Sequence, residues 1–252
     1  MSGKDKLKKF RENETFNCMY QPCTEDVLGK DYLLKGRWGS EVFKNNNPII
    51  LELGCGKGEY TISLAQMFPN KNFIGIDIKG ARLWKGAKFA QEANLSNVAF
   101  VRTRIEFIES LFEKNEIAEI WITFADPQLR HCRKRLTGTM FLNRYKKFLN
   151  SNGIVNLKTD SQYLHQYTIA CAKENNLTIL EANNNIYGTG RADNILSIRT
   201  FYEAHYIKRG LPITYMAFKI DNNMPLCEPK WDEDYWLKQE MLGRENTPTN
   251  KG

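Results

Sequence analysis

Ile49-Ile50-Leu51-Glu52-Leu53-Gly54-Cys55-Gly56-Lys57-Gly58 is the stretch from which the fold of this 252-residue chain is read. A β-branched apolar run meets a carboxylate at Glu52, and Gly54, Gly56 and Gly58 then punctuate a turn at every second position. Glycine lets a backbone turn sharply and lets main-chain N–H groups approach a ligand with no Cβ in the way. Tyr60, Leu64, Met67 and Phe68 follow at helical spacing, so the turn joins a buried strand to a helix. Asn72–Asp77 reads as a second strand ending in a carboxylate, placed to accept both hydroxyls of a ribose. The two segments together describe a nucleoside-cofactor site. The glycines are spaced too closely for the G-x-G-x-x-G turn of a dinucleotide site. Glu52 would sit awkwardly beside a pyrophosphate but suits a cationic cofactor that carries an ammonium group.

Glu-x-Gly-x-Gly-x-Gly after a strand resembles motif I of the class I S-adenosyl-L-methionine (SAM) methyltransferases. That resemblance implies SAM as cofactor, bound by Glu52, Gly54, Gly56, Gly58 and Asp77.

From Pro48 the pattern alternates between strand and helix. Strands are expected over 49–53, 72–77, 98–102, 117–124, 153–158, 178–182 and 213–220. Helices are expected near 59–68, 80–93, 105–114, 139–150, 161–175 and 197–209. Such alternation predicts an α/β, Rossmann-like fold: a mostly parallel seven-stranded sheet, helices on both faces, and a last antiparallel strand. Residues 1–23 read as a basic flexible arm, with a short helix somewhere in Thr24–Gly39. Residues 24–220 read as the folded domain. Residues 221–252 form an acidic extension that Trp231, Tyr235 and Trp236 would dock on the core, with 244–252 disordered.

No apolar run approaches the roughly 20 residues that span a bilayer, and the charged start of the chain is no secretory signal. The six cysteines show no Cys-x-x-Cys pairing and the three histidines no zinc pattern. A cytoplasmic enzyme with reduced thiols and no metal is expected, acting as a monomer or homodimer. Charge is unevenly spread. Lys and Arg number 36 against 29 acids, a net +7, and Arg130–Lys147 alone carries seven basic residues with no acid. Met1–Arg11 adds five more against one aspartate. Two basic clusters point to a polyanion such as RNA.

The fourth core strand ends at Phe124-Ala125-Asp126-Pro127, and the basic segment begins at Arg130. Ligands of open α/β sheets sit beyond the carboxyl ends of the strands, so a polyanion held there would reach the cofactor. Lys158-Thr159-Asp160 ends the next strand, and Thr200-Phe201-Tyr202-Glu203 follows. Asp160 also reads as an N-cap for the helix after it, and Thr200-x-x-Glu203 as a capping box.

In order and spacing these motifs, with Lys134-Arg135-Leu136-Thr137, resemble the bacterial tRNA (guanine-N7)-methyltransferase family from about Pro48 to Ile220. The resemblance implies SAM-dependent methylation of guanine N7 in the tRNA variable loop, with Asp126 catalytic. It implies substrate contacts from Arg130, Asp160, Thr200 and Glu203; Arg133, Lys134 and Arg135 would join Arg130 in holding flanking phosphates. It also puts Arg104 near the adenine, where the family has an aspartate, with Glu106 as a substitute. Ala125 and Gln128 depart from the family's Phe-Pro-Asp-Pro-Trp. The other readings are methylation of another RNA or of an amino group, or a catalytically dead RNA-binding relative.

Overall fold

The structure, a computed structural model, describes residues 3–245. The expectation of disorder over 246–252 lies outside the described residues. The chain divides into two compact units. One runs through Ile120 and includes Lys147–Asn150; the other comprises Trp121–Lys146 and the residues from Ser151 onward.

The first unit holds β1 (Met19–Tyr20), β2 (Ile49–Leu53), β3 (Asn72–Asp77) and β4 (Val98–Arg102). Its helices are α1 (Gly3–Asn13), α2 (Thr24–Val27), α3 (Glu59–Met67), α4 (Gly80–Glu92) and α5 (Ile108–Leu111). The strands pair in parallel: β2 on β3 with Leu51 opposite Ile74, β3 on β4 with Ile74 opposite Ala99, and β1 on β4. All of β2 and β3 is buried, which is why both read as continuous runs rather than as alternating ones. Trp38 is fully buried, its indole N–H on the Leu111 carbonyl at 2.9 Å and its ring against Tyr20, Tyr32 and Phe112.

Two strands, β5 (Ile117–Thr123) and β6 (Leu149–Thr159), run from one unit into the other. The second unit adds α6 (Thr139–Tyr145), α7 (Gln162–Glu174), β7 (Ile179–Asn183), α8 (Phe201–Lys208), β8 (Thr214–Lys219) and α9 (Glu233–Glu245). Here β8 pairs antiparallel with both β6 and β7, as expected of the last strand. The strands hydrogen-bond in the order β1-β4-β3-β2-β5-β6-β8-β7, giving a mixed α/β sheet.

Three expectations are corrected. The sheet has eight strands, because Met19–Tyr20 adds a short parallel pair on β4 that two residues cannot announce by periodicity. Residues 3–13 are helical rather than a flexible arm. Asn13 is buried and donates to the Gly80 carbonyl at 2.9 Å, Glu12 accepts the Trp84 indole N–H at 2.6 Å, and the Phe10 ring lies under Arg102. Those contacts anchor a charged helix that would be marginal alone. In the acidic extension, 244–245 belong to α9, which packs on α7. Within Thr24–Gly39 the helix is the single turn α2, and a wide π-type turn occupies Trp38–Phe43.

Candidate active site

In the first unit the glycine turn leaves the carboxyl end of β2. Gly54, Gly56 and Gly58 have φ of 74°, 58° and 70°, the left-handed region that glycine enters without a Cβ penalty. The Gly54 and Cys55 N–H groups both donate to the Ile76 carbonyl, at 2.8 and 3.1 Å, which ties the turn to β3. Asp77 holds it from the side: one carboxylate oxygen accepts the Gly56 N–H at 3.0 Å and the other the Lys79 N–H at 2.7 Å. Glu52 is buried. Its Oε2 accepts the Thr61 N–H at 2.8 Å and the Thr61 hydroxyl, so it caps an otherwise open amide of α3.

The glycines divide by what surrounds them. A Cβ on Gly54 or Gly56 would meet nothing within 4 Å. A Cβ on Gly58 would lie 2.6 Å from the Phe100 ring, and on Gly75 or Gly86 at 2.9 and 2.7 Å from it. Gly58, Gly75 and Gly86 therefore make a socket for a fully buried Phe100 beneath the turn, while Gly54 and Gly56 present an open side. An open glycine side beside two buried carboxylates fits SAM: backbone and Asp77 for the nucleoside, Glu52 for the ammonium end. Burial pushes the Cys55 thiol well up and leaves it an inert wall. Arg104 is 60% exposed and pairs with Glu106 at 3.6 Å, so it caps no buried contact.

In the second unit β5 ends against β6, the Phe124 N–H donating to the Lys158 carbonyl at 2.9 Å. Asp126 is exposed and its Oδ1 accepts the Gln128 N–H at 2.9 Å, an Asx turn. Phe124 and Gln128 both have φ of 51°, uncommon for residues with side chains. Backbone strain thus brackets the carboxylate, and such strain collects at functional turns. The Phe124 ring stacks on Tyr206 at 6.0 Å.

Asp160 lies buried just past β6. It is not the helix cap; Ser161 is, its hydroxyl accepting the Leu164 N–H at 3.1 Å. Thr200 does cap α8, accepting the Glu203 N–H at 3.1 Å. The Glu203 side chain does not complete a capping box. It is fully buried, with Oε2 2.8 Å from the Lys158 ammonium and Oε1 accepting from the Tyr187 hydroxyl at 2.7 Å. The Lys158 ammonium also donates to the Ile198 carbonyl at 3.0 Å, and burial lowers its pKa against the pull of Glu203. Fully buried, with its charge held on Lys158, Glu203 is a structural partner of that lysine rather than a group that reaches substrate.

Arg135 needs the same correction. It is 1% exposed, its guanidinium stacked over Tyr163 and Tyr167 and donating to the Leu129 carbonyl, the Tyr163 hydroxyl and Glu233. Those bonds all leave from Nη2 and its Nε is unpartnered, but burial keeps the guanidinium out of reach of a phosphate from solvent. Arg130, Arg133 and Lys134 are exposed in a loop that includes one tight turn, Cys132–Lys134. Further along the run Arg144 lies over the Phe141 ring, Lys146 donates to the Met224 carbonyl at 2.7 Å and Lys147, though exposed, pairs with Glu109, so the loop itself presents three outward cations.

Lys158 stood in the Lys158-Thr159-Asp160 motif without a role of its own, and Tyr163 was not singled out from sequence. A lysine at the end of the strand segment Ile154-Val155-Asn156-Leu157, apolar but for Asn156, was the available signal for a buried ion pair. Nothing local marks Tyr163, whose partners lie far along the chain.

A family model described as "Putative methyltransferase" matches residues 46–216. The chain is 52% identical to a tRNA (guanine-N(7)-)-methyltransferase of Christiangramia forsetii, over 87% of this chain and 100% of that one. It is 47% identical to a tRNA (guanine-N(7)-)-methyltransferase of Bacteroides fragilis, over 90% of each chain. Among solved structures, the 16S rRNA methyltransferase KamB shares the fold with a TM-score of 0.54 at 12% identity, covering 71% of this chain and 90% of that one.

Proposed function

Because the chain belongs to the tRNA (guanine-N(7)-)-methyltransferase family, we propose that it methylates N7 of a guanine in tRNA, using S-adenosyl-L-methionine. The observation that carries this reading is the likeness to relatives of that name along nearly their whole length. The open glycine turn agrees with it. SAM, when bound, supplies an electrophilic methyl group.

Guanine N7 carries a lone pair and no proton, so the protein needs no strong base; it must place the base and stabilise the charge that grows on it. Glu52, Gly54, Gly56, Gly58 and Asp77 are assigned to the cofactor, with Arg104 beside the adenine. Asp126 is the first choice for catalysis. A carboxylate accepting from N1–H and the exocyclic amine of guanine selects against adenine, and each such bond to a charged acceptor contributes about 1.5–3 kcal/mol. Asp160 is the second carboxylate for that edge, and the Thr200 hydroxyl keeps its proton to donate. Arg130, Arg133 and Lys134 hold phosphates on either side of the target. N7 faces the deep, narrow major groove of A-form RNA, so the guanine must lie in a loop or leave its stack.

All six cysteines are free thiols, in keeping with work in a reducing cytoplasm. Among the described residues no helix is long and apolar enough to cross a membrane.

The test is methyl transfer from radiolabelled SAM to unmodified tRNA, followed by nucleoside analysis. The expected product is N7-methylguanosine, which also renders the RNA cleavable by aniline after reduction. Label on an exocyclic amine, or no transfer despite bound SAM, would overturn the assignment.

A further inference from the structure

The acidic C-terminal extension grips the second unit at three carboxylates. Glu228 accepts from the Thr139 hydroxyl and from the Tyr167 hydroxyl at 2.7 Å. Glu240 accepts the Tyr163 N–H at 3.0 Å, one of the open amides at the start of α7. Glu233 reaches Arg135 at 2.5 Å and the Tyr163 hydroxyl at 2.6 Å. Between them Trp231 stacks on Trp236, with centroids 5.2 Å apart and planes within 4°, and meets Tyr163 and Tyr167 edge-on.

What Glu233 holds matters more than that it holds. Arg135 Nη2 donates to the Leu129 carbonyl oxygen at 3.1 Å, and the Tyr163 hydroxyl, its one proton given to Glu233, packs beside the same atom. Leu129 sits in the basic loop, between the Asp126 turn and Arg130. Otherwise the loop is closed by its own short turns: His131 N–H to Gln128, Lys134 N–H to His131 and Arg135 N–H to Cys132. Such turns shape a loop without anchoring it to its surroundings. The anchor at Leu129 is a buried guanidinium, which requires a counter-charge to stay where it is. Glu233, 40% exposed, supplies that charge from a segment 98 residues further along the chain.

We propose that the C-terminal extension braces the RNA-binding loop: Glu233, through Arg135, fixes Leu129 and so sets where Arg130, Arg133 and Lys134 meet the tRNA. Glu233 is a positioning residue in this arrangement and touches no substrate. The inference rests on the reading of that loop as the phosphate-binding element.

The experiment uses the full chain and the variant Glu233→Gln, which keeps the shape and removes the charge. KM for tRNA should rise about tenfold, kcat and SAM affinity should stay within about twofold, and the dependence of KM on salt should flatten by about one phosphate contact. In the free protein, amide hydrogens over 126–135 should exchange faster than in the wild type while those of β6 are unchanged. Glu233→Asp, which keeps the charge one methylene short, should give an intermediate KM and covers the case in which the glutamine variant folds poorly. Met241→Gln on the exposed side of α9 should behave as wild type. The brace is refuted if Glu233→Gln leaves tRNA KM, salt slope and loop exchange unchanged while Arg133→Ala with Lys134→Ala raises KM. If that double variant also leaves KM unchanged, the phosphate-binding reading of the loop fails and the brace falls with it. Absence of N7-methylguanosine from the wild type would instead dispose of the activity itself.

Discussion

Alanine at Gly56 and alanine at Gly58 should fail for opposite reasons, and the contrast tests the cofactor turn directly. Both residues have left-handed φ, so each substitution costs about 1 kcal/mol in backbone conformation. At Gly58 the new methyl carbon would also sit 2.6 Å from the Phe100 ring, and that ring cannot retreat because Gly75 and Gly86 wall it from other sides. Overpacking of this kind adds about 2 kcal/mol. Gly58→Ala should therefore lose about 3 kcal/mol and melt about 6–12 °C lower, against about 2–4 °C for Gly56→Ala. SAM binding should invert that order. The methyl group at position 56 projects into the open side of the turn and should weaken SAM by about 100-fold or more, roughly 2.8 kcal/mol. At position 58 it turns toward Phe100 and should cost less than about tenfold when measured below the melting transition. Differential scanning calorimetry and isothermal titration on both variants give the four numbers. Wild-type SAM affinity in Gly56→Ala would refute the assignment of that open side to the cofactor; equal melting losses would refute the socket.

Asp126→Ala should leave SAM binding intact and lower kcat for methyl transfer by about 100-fold or more, read with radiolabelled cofactor; near-wild-type turnover would remove the residue from catalysis. Arg133→Ala with Lys134→Ala should weaken tRNA binding and reduce the slope of log K against log salt by about 1–2, in filter binding at several ionic strengths. Lys158→Met should cost about 3–5 kcal/mol by stranding a buried Glu203, and adding Glu203→Gln should return part of it in a denaturant double-mutant cycle; full additivity would deny the pair any coupling. His165 is buried with its Nδ1 unpartnered, and burial lowers its pKa to about 4. The unfolded chain takes up that proton from about pH 6.5 downward while the folded one resists it, so stability contributed above pH 6.5 is lost as pH falls toward 4. His165→Phe should flatten this acid limb by about 3 kcal/mol, as followed by urea denaturation between pH 7 and 4.

Where structure follows from local pattern, the sequence was readable. β2, β3 and β4 end where the apolar runs end, because a strand buried on both faces must be apolar throughout. The glycine turn was readable because left-handed backbone and absent side chains leave a mark in composition. Charge was the weaker guide. Arg135 and Arg133 differ by two positions, yet one lies among tyrosines and the other faces water; what decides is Glu233 and Tyr163, remote in sequence. Glu203 misled for the same reason, its partner Lys158 lying 45 residues earlier. The first helix was missed because its charge concealed one useful face, Phe10 and Asn13, whose partners Arg102 and Gly80 come much later.

Phe124 and Gln128, both held in a conformation that glycine adopts freely, carry a further consequence. Glycine at position 128 would relieve the steric cost, whereas at position 124 it would also forfeit the ring stacked on Tyr206, so optimisation of the turn alone would favour it only at 128. It would also multiply the shapes open to the segment and let the carboxylate between them wander. The side chain at position 128 trades a little resistance to heat for a single aim of Asp126. Directed evolution for thermostability should accept glycine at position 128, and activity should fall as it does.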